Sequence, residues 1–236
     1  MLVLPCWPGL EIDPRKTELT KWATRHLRIN IGTDIPLFNA LAHVMIREDL
    51  FDHEYVENGT EGFSELAKHV ESYTPEYASE VCGVPVQDII DTAREYAAAS
   101  GKAAICYTLG ITEHSCGSHN VQSVANLGML GGNFGKQNAG VNPLRGQNNV
   151  QGASDSGALP TDLPGYQKIE RPGVREKFEK AWNSELPKRR GITKITAMDQ
   201  MLRGKIRAAY IMGENAVVSD PNTNHAQAAL EATDFI

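Results

Sequence analysis

Helical periodicity accounts for several long segments of the chain. Residues 33–46 begin with Thr33 as a capping residue, and Leu37, Leu41 and Val44 recur at the spacing of one helix face. Such a face buries its apolar side chains while the opposite face stays in water. The same criteria, with Pro and Gly at segment ends, predict further helices over residues 15–24, from 75, over 85–100, over 118–130 and from 224.

Short apolar runs bounded by polar or glycine residues predict strands. They occur at residues 25–29, 103–110 and 206–213, and the second and third are each followed by a loop and a helix. This order of elements is typical of parallel α/β architecture. The run 103–110 has the character of a buried strand, which predicts that the Cys106 thiol lies in the core.

The segment between the second and third of these strands, residues 131–170, has no regular period. It is rich in Gly, Pro, Asn and Gln. A loop of that length inside a compact domain is more often functional than idle. We therefore place a boundary between two lobes inside this segment.

The composition narrows the class of protein. A hydrophobic content of 41% is enough for a core, and a net charge of −6 without a long run of either sign argues against a nucleic-acid or anionic-membrane surface. No apolar segment is long enough to span a membrane, and residues 1–10 lack the basic residues that begin a signal peptide. The four cysteines are widely spaced without a CxxC pair, which favours a reducing, cytoplasmic location.

Three polar segments that follow short apolar runs are candidates for ligand binding. They are residues 12–18, 107–117 and 210–220. In open α/β sheets, ligands bind beyond the carboxyl ends of the strands. Ordinary turn chemistry explains any one of these loops alone. The three together favour a shared ligand crevice.

The segment 141–152, VNPLRGQNNVQG, combines one arginine with five side-chain carboxamides. Carboxamides donate and accept hydrogen bonds, which matches the mixed edge of a pterin or guanine, and the planar fork of Arg145 suits a carboxylate or phosphate. The alternative is a turn network in which Arg145 pairs with an acid elsewhere. The glycine-rich residues 128–140 would let backbone amides approach a phosphate or a flat ring, and a flexible connector explains them equally well.

His114, Cys116 and His119 have the residue types of a metal site, but the sequence offers no evident fourth ligand. A helix that begins near Ser118 would turn His119 away from the other two. We therefore expect structural or surface roles for these side chains and no metal ligand from this chain.

Several motifs occur in an order that resembles a known family. From Ile12 onward the chain contains IDPRKTE, GTDIPLFNALAHVMI, TEGFSEL, YTLGITEH, RGQNNVQG and YIMGEN. Together they resemble the large, catalytic subunit of formate dehydrogenases in the molybdopterin oxidoreductase family, and RGQNNVQG is specific to that branch. The resemblance implies two partial, Rossmann-like α/β/α lobes with parallel or mixed sheets flanked by helices. It assigns residues 1–147 to a first dinucleotide-binding lobe and 148–236 to a second.

The resemblance also implies roles for individual residues. Family members bind molybdenum or tungsten through two molybdopterin guanine dinucleotides (bis-MGD), and the arginine of RGQNN orients formate beside the metal. Arg145 takes this role, and Gln147 contacts the pterin region or the substrate. Electrons from formate pass to iron–sulfur clusters and an electron-transfer iron–sulfur subunit. The implied cofactor-binding residues are Asp13, Asp34, Gly110, Thr112, Asn148, Gly213, Glu214 and Asn215.

The chain departs from the family in the residues that complete the active site. The cluster cysteines, the metal-ligating cysteine or selenocysteine followed by histidine, and the C-terminal lobe have no counterpart in the sequence. We therefore expect a central segment of a formate dehydrogenase, one that oxidises formate to carbon dioxide only with the remaining segments or subunits and is inactive alone. The alternatives are a non-catalytic pterin-dinucleotide-binding module and an inactive truncated gene product.

Overall fold

The chain divides after Gly146 into two units in the computed structural model, which describes residues 9–236. The first unit is described from Gly9 to Gly146, and the second is Gln147–Ile236. The predictions for the opening residues, Cys6 and the missing signal peptide among them, lie outside the described residues. That each unit is a dinucleotide-binding lobe stays a prediction.

The first unit contains helices and short strands in alternation. In chain order its elements are β1 (Leu10–Ile12), a 3-10 helix (Glu18–Lys21), β2 (Arg25–Leu27), α1 (Asp34–Arg47), α2 (His53–Gly59), α3 (Phe63–Val70), α4 (Pro75–Cys82), α5 (Val86–Ala98), β3 (Ala104–Tyr107), α6 (Leu109–Thr112), α7 (Gly117–Leu130) and β4 (Gly140–Pro143). Most of the predicted helices and both predicted strands of this unit are present. The predicted helix at 15–24 is only the 3-10 helix, because Thr17 caps a single short turn.

Both sheets of the first unit are parallel pairs. In one, Leu10 of β1 lies opposite Arg25 of β2, and in the other, Ala104 of β3 lies opposite Gly140 of β4. Parallel strands need a long crossover connection, and here α6 and α7 provide it between β3 and β4. The predicted α/β class, with small parallel sheets flanked by helices, is confirmed.

Helix α1 lies at the centre of the first unit's core. It packs against α3, α4, α5 and α7. Leu37, Leu41 and Val44, which the periodicity predicted on one face, are all less than 5% exposed. The helix is buried on most of its surface because helices surround it on several sides.

The predicted helix caps differ in their chemistry. Thr74 caps α4 as predicted, since its hydroxyl accepts a hydrogen bond from the backbone N–H of Tyr77 at 3.2 Å. Thr33 precedes α1 but makes no side-chain cap. Its hydroxyl donates instead to the carbonyl of Asn30 at 2.7 Å, so it stabilises the turn that leads into the helix.

A buried polar network fixes the residues after α7 against α5 and β3. The side chain of Asn133 donates to the Tyr96 hydroxyl at 2.9 Å and accepts from the backbone N–H of Ala103 at 3.1 Å. The Tyr96 hydroxyl donates to the carbonyl of Leu127 at 3.3 Å. Burial raises the pKa of Tyr96 to about 12. The start of the glycine-rich segment is therefore anchored, and it is not a flexible connector at this point.

The second unit is mainly helical. Its elements are α8 (Val150–Asp155), β5 (Asp162–Leu163), β6 (Gln167–Lys168), α9 (Val174–Trp182), α10 (Lys194–Leu202), α11 (Ala216–Ser219) and α12 (Thr223–Glu231). Strands β5 and β6 form an antiparallel hairpin. Met198, Met201, Ala216 and Ala229 form a small core where α10 and α11 pack on α12. The segment 131–170 is thus not wholly irregular, because β4, α8, β5 and β6 fall within it.

Two strand predictions need correction. Residues 206–213 form no regular strand: Ala208 makes one isolated parallel bridge to Phe235, and Tyr210 is 87% exposed, because within residues 9–236 no longer strand lies alongside. The Cys106 thiol is exposed, not buried. Side chains of β3 alternate between two faces, and Ile105 and Tyr107 occupy the face that packs on the core.

Within residues 9–236, every helix is too short or too polar to cross a lipid bilayer.

Candidate functional site

The carboxyl ends of β3 and β4 form one edge of their sheet. Because the two strands are parallel, the loop after β3 and the residues after β4 begin at the same edge. The pairing continues one step further, since the backbone N–H of Leu144 donates to the carbonyl of Tyr107 at 2.7 Å. The sheet therefore brings the segment that holds Gly110 and Thr112 and the segment that holds Arg145 to one edge.

Arg145 is exposed, two residues beyond β4. Within residues 9–236, neither a hydrogen bond nor an ion pair engages its guanidinium group. The alternative interpretation, in which Arg145 forms an ion pair with an acidic residue of this chain, is therefore wrong for the described residues. A planar cation that is solvated and free of internal partners can bind an incoming carboxylate or phosphate through two parallel hydrogen bonds.

The loop after β3 is compact and tightly packed on α7. Gly110 lies in the single turn of α6 and is exposed, and a Cβ added to it would meet no atom within 4 Å, so the space beside its Cα is open. Gly117, the first residue of α7, is different, because an added Cβ would lie 2.0 Å from the carbonyl oxygen of Thr112. Only glycine at position 117 lets the loop that holds Thr112 lie so close to the helix.

Asp34 is the first residue of α1 and is only 9% exposed. Burial raises the pKa of its carboxyl group, while its own backbone N–H and the charge of His114 act in the opposite direction. His114 in turn donates from Nε2 to the carbonyl of Gly110 at 2.8 Å. Asp34 is thus a buried carboxyl group at the start of α1, and the charge of His114 in the loop after β3 is one of the groups that act on it.

Asp13 follows β1 directly and is partly buried. Its carboxylate accepts from the backbone N–H of Arg15 at 2.7 Å, which closes a local turn. Its carbonyl accepts from Nε2 of His26 at 2.9 Å. Asp13 thus lies at the carboxyl edge of the sheet formed by β1 and β2, with one carboxylate oxygen occupied by the turn.

The residues considered for a metal site have structural contacts. The Cys116 thiol donates to the side-chain oxygen of Asn120 at 3.6 Å, and His119 is exposed on α7. Within the part of the chain that the structure describes, no group of three or more His, Cys, Asp or Glu side chains is placed to hold a metal ion.

In the second unit, Gly213, Glu214 and Asn215 form the loop that leads into α11. Gly213 has φ +68°, a conformation that glycine adopts without strain, and its surroundings are open. The Glu214 carboxylate accepts from Lys194 at 2.7 Å and from Ser219 at 2.8 Å. These two contacts, Lys194 first, lower the pKa of Glu214. The Asn215 side chain is exposed and does not cap α11.

Gln147 and Asn148 are the first residues of the second unit, and both are exposed. Asn149, the next residue, has φ +54° and caps α8 by accepting from the backbone N–H of Gly152 at 3.1 Å. The run of carboxamides is therefore divided. Asn149 has a structural role, whereas Gln147 and Asn148 present their amide groups to solvent.

Lys194 and Asp220 also belong to the candidate site. The sequence analysis did not identify Lys194, and it gave Asp220 no individual role. The two side chains form an ion pair at 2.9 Å, and Asp220 is 15% exposed. Lys194 lies 20 residues before Glu214 in the chain. No local pattern marks a lysine at that separation as a partner of the loop 213–220.

The chain matches one protein family over almost its whole length. The model of the molybdopterin oxidoreductase family matches residues 10–236. The chain is 46% identical, over 95% of its length, to the F420-dependent formate dehydrogenase subunit alpha of Methanocaldococcus jannaschii. It is 45% identical, again over 95% of its length, to formate dehydrogenase H of Escherichia coli. It covers 33% and 31% of these proteins, so the chain spans only a third or less of the curated relatives it matches.

A solved structure with a similar fold is the acetylene hydratase from Pelobacter acetylenicus. It matches 96% of this chain and 33% of its own with a TM-score of 0.64. The sequence identity is 21%, so this likeness concerns the fold alone. It agrees with the α/β class given by the strands and helices.

Proposed function

Because the chain belongs to the molybdopterin oxidoreductase family, we propose that it is a segment of a formate dehydrogenase catalytic subunit that binds molybdopterin guanine dinucleotide. Membership implies a molybdopterin cofactor with molybdenum or tungsten. The observation that carries the proposal is the exposed Arg145 at the sheet edge, within a chain 45% identical to formate dehydrogenase H. A guanidinium group without a partner among the described residues is suited to a small carboxylate substrate.

The residues at the edge of the first unit fit such a cofactor. A pterin needs mixed donors and acceptors at its rim, and a diphosphate needs backbone amides or a cation nearby. The open backbone at Gly110, the side chain of Thr112 and the buried carboxyl of Asp34 provide these groups. We assign Asp13 to the same dinucleotide. Gln147 and Asn148 offer exposed carboxamides for the pterin region.

The second unit supplies the contacts for the second dinucleotide of the bis-MGD form in this proposal. Gly213 offers an open backbone, and the Asn215 side chain is exposed. The Glu214 carboxylate is already engaged by Lys194 and Ser219, so it contributes through its second oxygen or its backbone.

In the proposed mechanism Arg145 binds formate through two parallel hydrogen bonds to the carboxylate oxygens. The bound cofactor supplies the redox chemistry that takes two electrons from formate. The guanidinium group fixes the direction of the C–H bond and stabilises the carboxylate charge, so its contribution is orientation and electrostatics. In this proposal Gln147, two residues further along the chain, contacts the pterin region or the substrate.

The remaining parts of the enzyme are partners of this segment in the proposal. The metal-ligating cysteine or selenocysteine, the iron–sulfur cluster and an electron-transfer iron–sulfur subunit come from those parts. This chain alone is therefore inactive, and the product, carbon dioxide, forms only when they are supplied. A non-catalytic pterin-binding module would bind the cofactor and never gain turnover by complementation.

The chain should bind cofactor without oxidising formate. We expect protein purified from a host that makes the molybdenum guanine dinucleotide to unfold at a higher temperature than protein from a cofactor-deficient host. A ligand present at 100 times its Kd adds about 2.7 kcal/mol to the free energy of unfolding. Neither preparation should reduce a viologen dye with formate. The measurements are thermal unfolding by circular dichroism and dye reduction.

The two readouts separate the parts of the proposal. Identical unfolding temperatures in the two preparations would contradict cofactor binding. Formate-dependent dye reduction by the pure chain would contradict the predicted need for the missing parts. A relative's full-length subunit, expressed in the same host, is the positive control for both assays.

A further inference from the structure

Lys194 occupies a position that is unfavourable for a lysine. It is the first residue of α10, directly after the N-cap Thr193. The N-terminus of a helix carries a partial positive charge, so a cation there is destabilising unless anions lie close by. Two carboxylates meet that condition, because Lys194 Nζ lies 2.7 Å from Glu214 and 2.9 Å from Asp220.

The two carboxylates flank the short helix α11, one on each side. Glu214 precedes the helix and Asp220 follows it, and the Ser219 hydroxyl donates to Glu214 at 2.8 Å. Lys194 joins both ends of the segment to the start of α10. Without the lysine the two negative groups would share one small region and repel each other.

The same segment holds the predicted cofactor-binding residues of the second unit. Gly213 is in a left-handed conformation with open surroundings, and the Asn215 side chain is exposed. Within residues 9–236, the Asn215 side chain makes no hydrogen bond. Backbone hydrogen bonds to Asn215 and Ala216 and the burial of Ala216 hold α11 itself, and the ion pairs of Lys194 with Glu214 and Asp220 tie both ends of the segment to the start of α10.

We propose that Lys194 is a positioning residue, which holds the loop 213–220 in the conformation that binds the nucleotide end of the cofactor. The inference rests on the proposed function, since it assigns a supporting residue to the same site. Glu214 then acts mainly as a support, and the backbone of Gly213 and the side chain of Asn215 face the ligand.

The test compares Lys194→Met and Lys194→Arg with the wild-type chain, all expressed in a host that makes the dinucleotide. The probe is GMP released by acid hydrolysis, counted per folded chain. We expect Lys194→Met to retain about tenfold less GMP, and Lys194→Arg to restore most of it because the charge is kept. Lys205→Met is the matched control, because Lys205 is an exposed lysine of the second unit without a side-chain partner among residues 9–236.

A pH series tests whether the repulsion between the two carboxylates causes the loss of GMP. In Lys194→Met, lowering the pH should raise GMP retention relative to wild type, because protonation of Glu214 relieves its repulsion with Asp220. A defect that does not arise from the two carboxylates would not recover with acid. Where Lys194→Met fails to fold, the arginine variant decides. Wild-type retention then supports the inference, and loss of GMP from a folded Lys194→Arg chain overturns it.

The outcomes distinguish this inference from the proposed function. Equal GMP in wild type and Lys194→Met overturns the role of Lys194 and leaves cofactor binding intact. Absence of GMP from wild type and both variants overturns the proposed function, and the inference with it.

Discussion

Replacing Gly117 with alanine is expected to destabilise the first unit by about 3 kcal/mol, because overpacking a rigid site costs that much when no side chain can move away. The added Cβ would lie 2.0 Å from the carbonyl oxygen of Thr112 and 2.8 Å from its carbonyl carbon. Both atoms are backbone, so relief requires the whole loop after β3 to shift. Urea unfolding followed by circular dichroism measures the change.

Gly110→Ala is the matched control for this substitution. It lies in the same loop, and its added Cβ would meet no atom within 4 Å. Its effect on the free energy of unfolding should stay below about 1 kcal/mol. Equal stability of Gly117→Ala and wild type would contradict the close packing of the loop on α7. Because the loop holds Thr112, we also expect Gly117→Ala to retain less pterin than wild type.

Replacing Arg145 with alanine is expected to lower kcat/KM for formate by roughly 100-fold to 1,000-fold, the usual loss when a preorganised donor to a charged group is removed. The assay needs an active enzyme, which we would assemble by joining this chain to the parts that a formate dehydrogenase relative supplies. Arg145→Lys should recover only a small part of the rate, because an ammonium group cannot make the two parallel hydrogen bonds of a guanidinium.

The control for Arg145 is Arg171→Ala, which removes an exposed arginine of the second unit. It should leave kcat/KM within about twofold of wild type, because Arg171 is exposed and belongs to none of the proposed binding segments. Cofactor content, measured on the same samples, separates lost substrate binding from lost pterin. Wild-type kcat/KM in a cofactor-replete Arg145→Ala enzyme would remove Arg145 from the mechanism.

The helices of the first unit could be predicted because local pattern and tertiary packing agree there. The apolar spacing of α1 gave Leu37, Leu41 and Val44, all of them in the core. Thr74 marked the start of α4 correctly, because threonine is a favourable N-cap residue and proline is favourable at the first position of a helix.

The strand predictions failed where the local sequence does not show which elements pack against the strand. An apolar run shows that a segment can pair, but it does not show which strand lies alongside or which face is covered. Cys106 lies on the open face of β3, and residues 206–213 make a single bridge. Both outcomes depend on neighbours that are distant in sequence.

Part of the candidate site follows from sequence and part does not. The loop that holds Gly110 and Thr112 was predicted as a ligand loop from one rule, that ligands bind beyond the carboxyl ends of parallel strands. Strand β4, which brings Arg145 to the same edge, was not predicted. The ion pairs of Lys194 with Glu214 and Asp220 do not follow from sequence either, because they join a helix start to a loop far along the chain. Such ion pairs can be identified only from the three-dimensional structure.

The most direct test of cofactor binding is to count the cofactor in the pure chain. The protein would be expressed in a host that makes the molybdenum guanine dinucleotide, purified, denatured, and assayed for oxidised-pterin fluorescence and for GMP. We predict pterin and GMP in equal amounts, close to one or two per chain. A soluble, folded chain that releases neither would contradict the assignment of this protein as a dinucleotide-binding segment.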